Sequence, residues 1–424
     1  MKTISQQGNQ RCCARRLQIA LIIGSAVFCS GLDAAEWSVN ANVNQSLSYN
    51  DNVRMLLRDP QGSVIYELTP TISFARKTEA WDIAGDASYG LQHYTDLEAF
   101  DNNPQNYGLS TTYRTERSNT GLSARYSIAP SQNFAEQDTG NFASNANRES
   151  YMVTPTYSYR FTELDSLISS ATYSKSTYSR NSFDDNGTGF NTFSDNENKA
   201  INIGWQRQWS ELFMQSISVF YSNYESTGQI NSSSDSYGIN LSSNYQLSEK
   251  WQFSGTIGGR ITDTSTETVI IPGLLTATDQ NTSEGFLTDI GVHYKEENLS
   301  SNFGLSRSLI PSGQGQLTEQ TRVSLDFSYQ ITERLSSGLM TSYQETDSVS
   351  GSNDGLGLSR TNIRVSPNVN WKLTEDWLLS ASYAYRQQEK PDSAAIVNSR
   401  AGTAESNIFM LSINYNWPGL SISR

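Results

Sequence analysis

The stretch "YQLSEKWQFSGTIGGR", Tyr245 to Arg260, joins two runs of alternating apolar and polar residues through Ser248-Glu249, and most of the chain repeats this phrase. Further copies centre on Glu79, Glu116, Glu163, Glu211, Glu333 and Glu375, as in "YQITERLSSGLMTSY" and "WKLTEDWLLSASYAY". An eighth, "YKEENLSSNFGLSRS", replaces the Ser/Thr-Glu core with Glu296-Glu297. A phrase recurring at this density is a structural repeat. After each turn the apolar residues occupy every second position, as in Trp251 and Phe253, or Trp377, Leu379, Ala381, Tyr383 and Tyr385. A period of two is a strand with one apolar and one polar face; a helix would scatter these residues around its axis.

Eight short turns join sixteen strands, and "WSVNANVNQSLSY" (Trp37 to Tyr49) and "NIFMLSINYNW" (Asn407 to Trp417) add a first and a last. Eighteen is even, so both termini lie on one side and the outer strands can pair antiparallel to close the sheet. The segments between repeats, among them Asp51-Ser63, Pro130-Arg148, Ser226-Ser233, Thr264-Thr282 and Leu309-Leu317, are longer and rich in Asn, Asp, Ser and Gly. Short turns on one side and long loops on the other predict a transmembrane antiparallel up-and-down β-barrel of one domain, residues 36–417, with periplasmic turns and extracellular loops. Composition agrees: only 36% of residues are hydrophobic, yet 11% are aromatic and the mean hydropathy is -0.52. A barrel with a polar interior needs apolar residues at alternate positions only. A soluble β-rich repeat protein or adhesin is the alternative reading.

Arg11, Arg15 and Arg16 precede the apolar run "LQIALIIGSAVF", and small residues Ala34-Ala35 follow, as in a secretory signal peptide over residues 1–35. The run is too short for a spanning helix. Cys12, Cys13 and Cys29 all lie in this leader, so the expected mature chain has no thiol or disulfide chemistry. Removing the leader takes four basic residues and one acid from totals of 30 and 43, leaving 26 against 42, a net charge of -16. Such acidity argues against a nucleic-acid partner.

Trp81, Trp205, Trp209, Trp251, Trp371, Trp377 and Trp417, with Tyr245 and Tyr329, fall near the short turns in the outward phase, where a periplasmic aromatic girdle belongs. Three strands carry a proline in the same phase, Pro70, Pro155 and Pro367. Lacking an N–H, these positions are expected to bulge or bend.

Signals for catalysis are absent. His93 and His293 stand apart, without a cluster at metal-ligand spacing, and no zinc-protease helix, phosphate loop or nucleophile elbow occurs. The reading is therefore no enzyme, no cofactor and no metal. Fixing the outward set fixes the inward one. Arg114, Arg125, Arg160, Arg260, Arg322, Arg360, Arg364 and Arg386, with Glu67, Asp82, Asp86, Asp289 and Asp326, are expected to face the lumen. Such arginines either steer anionic solutes beside sugar-binding hydroxyls, or pair with the acids and brace the wall. One loop, "TETVIIPGLLTATD", is apolar at Val269, Ile270, Ile271, Leu274 and Leu275, and is expected to form a plug-like or partner-contacting element.

The early stretch "QSLSYNDNVRM", followed by "VIYELTPTISF", resembles the opening of outer-membrane β-barrel proteins associated with exopolysaccharide and exosortase-type (PEP-CTERM) sorting systems. The resemblance rests on Tyr49, Asp51, Asn52 and Val53, then Thr69-Pro70, over about thirty residues. It implies a Gram-negative outer-membrane location and a role in polymer export, and lends no catalytic residues. The expected partners are membrane lipid, the barrel assembly machinery, and polysaccharide or secretion-system proteins. Assembly machinery is expected to read Phe409 to Trp417, leaving residues 418–424 as a short periplasmic tail. The leading functional expectation is a channel or accessory component for export of a polar polymer. An anion-biased diffusion porin and a non-conducting adhesive or structural barrel are the alternatives.

Overall fold

A computed structural model describes residues 35–423 apart from 139, 180–192, 229, 272–274, 350–358 and 391–401. The signal-peptide expectation lies outside the described residues. The strands are β1 (Glu36–Asn50), β2 (Ser63–Lys77), β3 (Trp81–Tyr89), β4 (Leu91–Tyr94), β5 (Gln105–Arg114), β6 (Ser118–Pro130), β7 (Asn147–Arg160), β8 (Asp165–Tyr178) and β9 (Asp195–Ser210). They continue as β10 (Phe213–Thr227), β11 (Ile230–Gln246), β12 (Trp251–Ile271), β13 (Leu275–Lys295), β14 (Leu299–Pro311) and β15 (Leu317–Gln330). The last four are β16 (Leu335–Ser348), β17 (Arg360–Lys372), β18 (Trp377–Lys390) and β19 (Gly402–Ser423). β3 and β4 are two halves of one barrel strand, since both pair with β2 in the same register. Every neighbour is antiparallel, and β1 pairs with both β2 and β19, so eighteen strands close a barrel without an edge.

The Ser/Thr of the repeated turn has a physical role. Its hydroxyl accepts the backbone N–H three residues on, from Trp81 to Thr78, Ser118 to Thr115, Trp251 to Ser248, Leu335 to Thr332 and Trp377 to Thr374, at 2.9–3.2 Å. This side-chain turn satisfies a donor that the reversing backbone leaves open. Glu296 lacks a hydroxyl; its carboxylate instead meets Lys250 of the neighbouring turn and the Tyr294 hydroxyl.

Burial is inverted relative to a water-soluble protein. The largest fully buried side chains include Arg360, Gln344, Thr262, Thr318 and Thr346, whereas Ile257, Phe286, Phe409 and Leu411 are 55–58% exposed on the outer face. An outer surface of this kind has lipid as its solvent. The barrel therefore spans a membrane with its strands, in the architecture of Gram-negative outer-membrane proteins. The tryptophans of the short-turn side pair with rings on the next strand, Trp81 with Tyr113, Trp251 with Tyr294 and Trp377 with Tyr415, at centroid separations of 4.6–4.8 Å.

Three expectations are corrected. Residues 418–423 are not a tail: β19 continues to Ser423, and Leu420 to Ser423 pair with Val39 to Glu36 across a bulge beside Asn40, with Gly419 at φ +79° admitting the turn of the strand past Pro418. The three prolines do not shift the register. Val153–Tyr173 and Thr156–Ser170 keep one register either side of Pro155, as Val365–Tyr385 and Asn368–Ser382 do around Pro367; only two residues of ladder are lost on the side where an N–H is missing. Pro70 sits likewise opposite the break between β3 and β4. Finally, Ser226–Ser233 and Thr264–Thr282 are mostly strand: β11 pairs with β12 up to Ile230–Thr268, because Thr and Ser at alternate positions sustain a two-sided polar ribbon above the membrane.

Candidate functional site: the lumen and its covered mouth

The register places Arg114, Arg125, Arg160, Arg260, Arg322, Arg360, Arg364 and Arg386 in the phase opposite the exposed outer rings, together with Glu67, Asp82, Asp86, Asp289 and Asp326. They do not form one cluster. Arg114 pairs with Asp82 at 2.6 Å near the turn side, and Glu67 accepts from Thr69 at 3.0 Å. Asp86 and Arg125 line a recess of about 390 Å³ with Ser73, Ser110 and Ser123. His93 projects outward near the loop side and contacts Asp101 at 2.7 Å; His293 projects inward against Asn302.

Arg260 stands apart on β12, paired with Glu319 at 2.6 Å, whereas Arg360, Arg364 and Arg386 gather at the loop end, where two segments leave the wall and cross the mouth. The first is Ser131–Ala146, between β6 and β7, which opens with the single helical turn α1 (Gln132–Ala135). β6 and β15 lie on opposite sides of the barrel, yet this segment reaches the inner face of β15–β18. The Glu136 carbonyl accepts from Gln344 at 2.6 Å and Asn362 at 3.3 Å, and the Gln137 carbonyl from Gln320 at 3.2 Å. Arg360 donates to the Asp138 carbonyl at 2.6 Å, and Arg364 stands 3.7 Å from the Glu136 carboxylate. Arg386 shares a row with Arg364. Gly140, at φ +65°, lies where a Cβ would meet the Arg360 side chain at 2.5 Å, so both backbone and space require glycine there.

The second segment is the tip of the β14–β15 hairpin. It bends inward to β9 and β10: the Gly313 carbonyl accepts from Ser194 N–H at 2.6 Å, the Ser312 carbonyl from the Tyr224 hydroxyl at 3.2 Å, and the Gly315 carbonyl from Ser226 at 2.8 Å. Tyr224, Leu317 and Val349 bury one another beneath it. Asp138 joins the two segments: one carboxylate oxygen accepts the Gly313 N–H and the other the Tyr178 hydroxyl at 2.6 Å. Asp138 is only 6% exposed, which makes it the buried charge holding the cover together.

Asn52 and its neighbours complete the rim. Asp51 accepts from both the backbone and the side chain of Asn407 at 2.7 Å, Asn50 accepts from Ser406 at 2.7 Å, and Asn52 donates to the Glu405 carbonyl at 2.9 Å. The Tyr-x-Asp-Asn-Val stretch thus staples β1 to β19 at the mouth, and Met55 packs with Ala135, Phe142 and Ala404. Alternation along the strands signals the inward arginines, but no periodic or motif signal marks Ser131–Ala146: among its described residues, hydrogen bonds at Gln132, Glu136 and Asp138 combine with apolar contacts at Ala135 and Phe142. The apolar run at Val269 lies elsewhere. The backbone of Val269 and Ile271 continues the β12–β13 ladder opposite Thr276 and Leu275; the side chains of Val269, Ile270, Ile271 and Leu275, and all of Leu274, lie outside the described residues.

No family model matches the chain, and no curated protein matches it. Among solved structures it is similar to OccAB2 from Acinetobacter baumannii, at 12% identity and TM-score 0.46, covering 90% of this chain and 98% of that one. It is also similar to OccK2 (OpdF) from Pseudomonas aeruginosa, at 9% identity and TM-score 0.45, covering 90% and 98%. A third likeness is to the ferric-catecholate import receptor Fiu from E. coli K12, at 8% identity and TM-score 0.46, covering 89% and 81%. At these TM-scores the likenesses assign neither substrate nor mechanism to the chain.

Proposed function

We propose that this outer-membrane barrel is a channel, or an accessory component, for export of an exopolysaccharide or similar polar polymer, working by passage rather than catalysis. The observation that carries the reading is the chemistry of the lumen. Its wall is Ser, Thr, Asn and Gln punctuated by arginines, and its mouth is covered by segments held by hydrogen bonds between polar groups, as at Glu136, Asp138 and Gly313. Hydroxyls and amides of a saccharide chain offer the same donors and acceptors, so a polymer entering the mouth replaces the contacts it breaks. The resemblance at Tyr49–Val53 supports the same reading.

The test is deletion in the native host. Surface polymer should fall and return when the chain is supplied on a plasmid; wild-type polymer levels in the deletion strain would sink the proposal. A second reading, anion-biased diffusion, is favoured by Arg364 and Arg386 sharing one row at the mouth. A reversal potential in a salt gradient decides it: preference for chloride supports that reading, and cation preference removes it.

A further inference from the structure

The barrel wall has a seam. β13 and β14 pair over eight residues only, from Lys295–Ser300 to Thr288–Arg307, whereas β12–β13 pair over twenty and β14–β15 over thirteen. Among the described residues, no β13–β14 pair follows Thr288–Arg307, although β13 continues through Leu287 to Leu275 and β14 to Pro311. Eight residues at about 3.4 Å each, tilted about 40°, rise roughly 20 Å from the turn side, whereas the lipid-facing band of such barrels is about 25 Å tall. The outer face agrees: Phe286 and Ile239, two rows above the last pair, are still apolar and 55% and 52% exposed. The wall therefore parts within the outer leaflet.

Behind the seam lies a cavity of about 510 Å³. Phe220, Leu287, Leu309, Pro311 and Leu317 supply an apolar lining, and Ser222, Thr256, Ser306 and Ser308 supply hydroxyls. Residues of both register phases line it, Ser306 and Ser308 from the inner face and Arg307 and Leu309 from the outer, as is possible only where the hairpin bends in and the wall parts. A latch crosses the gap. The Arg307 guanidinium stacks on Phe286 at 4.4 Å on the lipid side and meets Glu319, whose other oxygen accepts from Arg260 on the inner wall at 2.6 Å. Gly285 leaves room for the Arg260 guanidinium, since a Cβ there would stand 2.9 Å from it. Arg260 and Arg307 are balanced by Glu319 and by Asp289 in the cavity lining, so the site selects neither sign of charge.

We propose that the β13–β14 seam is a lateral portal that binds an amphiphile with an uncharged, hydroxyl-rich head group, of the alkyl glycoside class. Its head sits among the cavity hydroxyls and its chain runs past Leu309 and Phe286 into the outer leaflet. A volume of this size falls in the range of roughly 300–1,000 Å³ that holds small ligands. The inference does not depend on polymer passage through the mouth.

The test uses the refolded full-length mature barrel in liposomes with a dodecyl glycoside carrying a diazirine on its chain, read by mass spectrometry after illumination. Labels are expected at Leu309 and Phe286, which the chain passes. Leu287→Trp, which fills the cavity, should cut that labelling at least five-fold, and Ile203→Trp on the seamless outer wall should leave it unchanged. Unlabelled dodecyl glycoside should compete better than a carboxylate of equal chain length, and Glu319→Gln should raise labelling by loosening the latch. Labels spread evenly over the outer face, or labelling unaltered by Leu287→Trp in a barrel that keeps its heat-modifiable gel shift, would overturn the portal. Equal competition by the carboxylate would overturn the head-group assignment.

Discussion

Replacing Asp138 with alanine should uncover the mouth without unfolding the barrel. The carboxylate accepts two hydrogen bonds, from Gly313 N–H and from the Tyr178 hydroxyl, both in a buried setting. A hydrogen bond to a charged group contributes about 1.5–3 kcal/mol. Two together, reduced because water enters the vacated site and because coupled contacts do not add, give about 2–4 kcal/mol of docking free energy. At 1.4 kcal/mol per factor of ten, the open-to-covered ratio should rise roughly 30- to 700-fold. The strands that build the wall make none of these bonds to Asp138 except through Tyr178 at the end of β8, so the barrel should keep its gel shift. Single-channel recording in planar bilayers reads the effect: wild-type traces should show rare, brief openings and Asp138→Ala traces long ones of larger conductance. Asp138→Asn, which keeps one acceptor for Gly313, should fall between. Gly140→Ala should move in the same direction, because it strains a left-handed residue by about 1–2 kcal/mol and displaces Arg360. Unchanged open probability in Asp138→Ala, with an intact barrel, would refute the reasoning that this carboxylate holds the cover.

Other expected outcomes follow from the wall and turns. Ser248→Ala should destabilise the barrel by about 0.5–1.5 kcal/mol in urea unfolding, since the Trp251 N–H loses its acceptor, whereas Glu249→Ala should stay within about 0.5 kcal/mol. Deleting residues 418–424 should lower the temperature at which the barrel opens on a gel, because four pairs with Glu36–Val39 are lost from the closing seam. An unchanged opening temperature would show that this end contributes nothing to closure. The Lys250 ammonium and the Tyr294 hydroxyl hold the Glu296 carboxyl below the usual glutamate range. Because its folded-state pKa is depressed, its contribution is present above the free-glutamate value and fades as pH falls through the lowered one. NMR titration of the carboxyl carbon should show this shift, and Lys250→Met should remove most of it.

The wall was legible because two signals of different origin agree. The hydroxyl at Thr78, Thr332 or Thr374 marks a turn, and the alternation after it marks a strand with lipid on one side; together they set the phase that points Arg260 and Arg386 inward. The cover was not legible for a physical reason. Inside a polar wall the docking of Ser131–Ala146 rests largely on hydrogen bonds at Gln132, Glu136 and Asp138, and its buried Ala135 and Phe142 follow neither a strand nor a helix period, so the segment reads as an ordinary extracellular loop. An apolar run such as Val269–Ile271 attracts the eye instead. The length of the β11–β13 ribbon was hidden similarly, since Ser, Thr and Asn on both faces remove the alternation that identifies a strand. The seam at Thr288–Arg307 depends on where one ladder stops, which no pattern within either strand records.

The inverted burial also reaches back to the time before the barrel exists. A chain whose enclosed positions are Arg360, Gln344, Thr262 and Ser236, and whose outer positions are Ile257, Phe409 and Leu411, gains nothing in water from adopting this shape. Closing the ring there would wrap hydroxyls and leave a belt of bare hydrocarbon, so the aqueous ensemble has its free-energy minimum elsewhere. The sequence encodes its structure only jointly with a bilayer, and the compartment it crosses on the way must supply something that keeps Phe286 and its fellows from finding one another first.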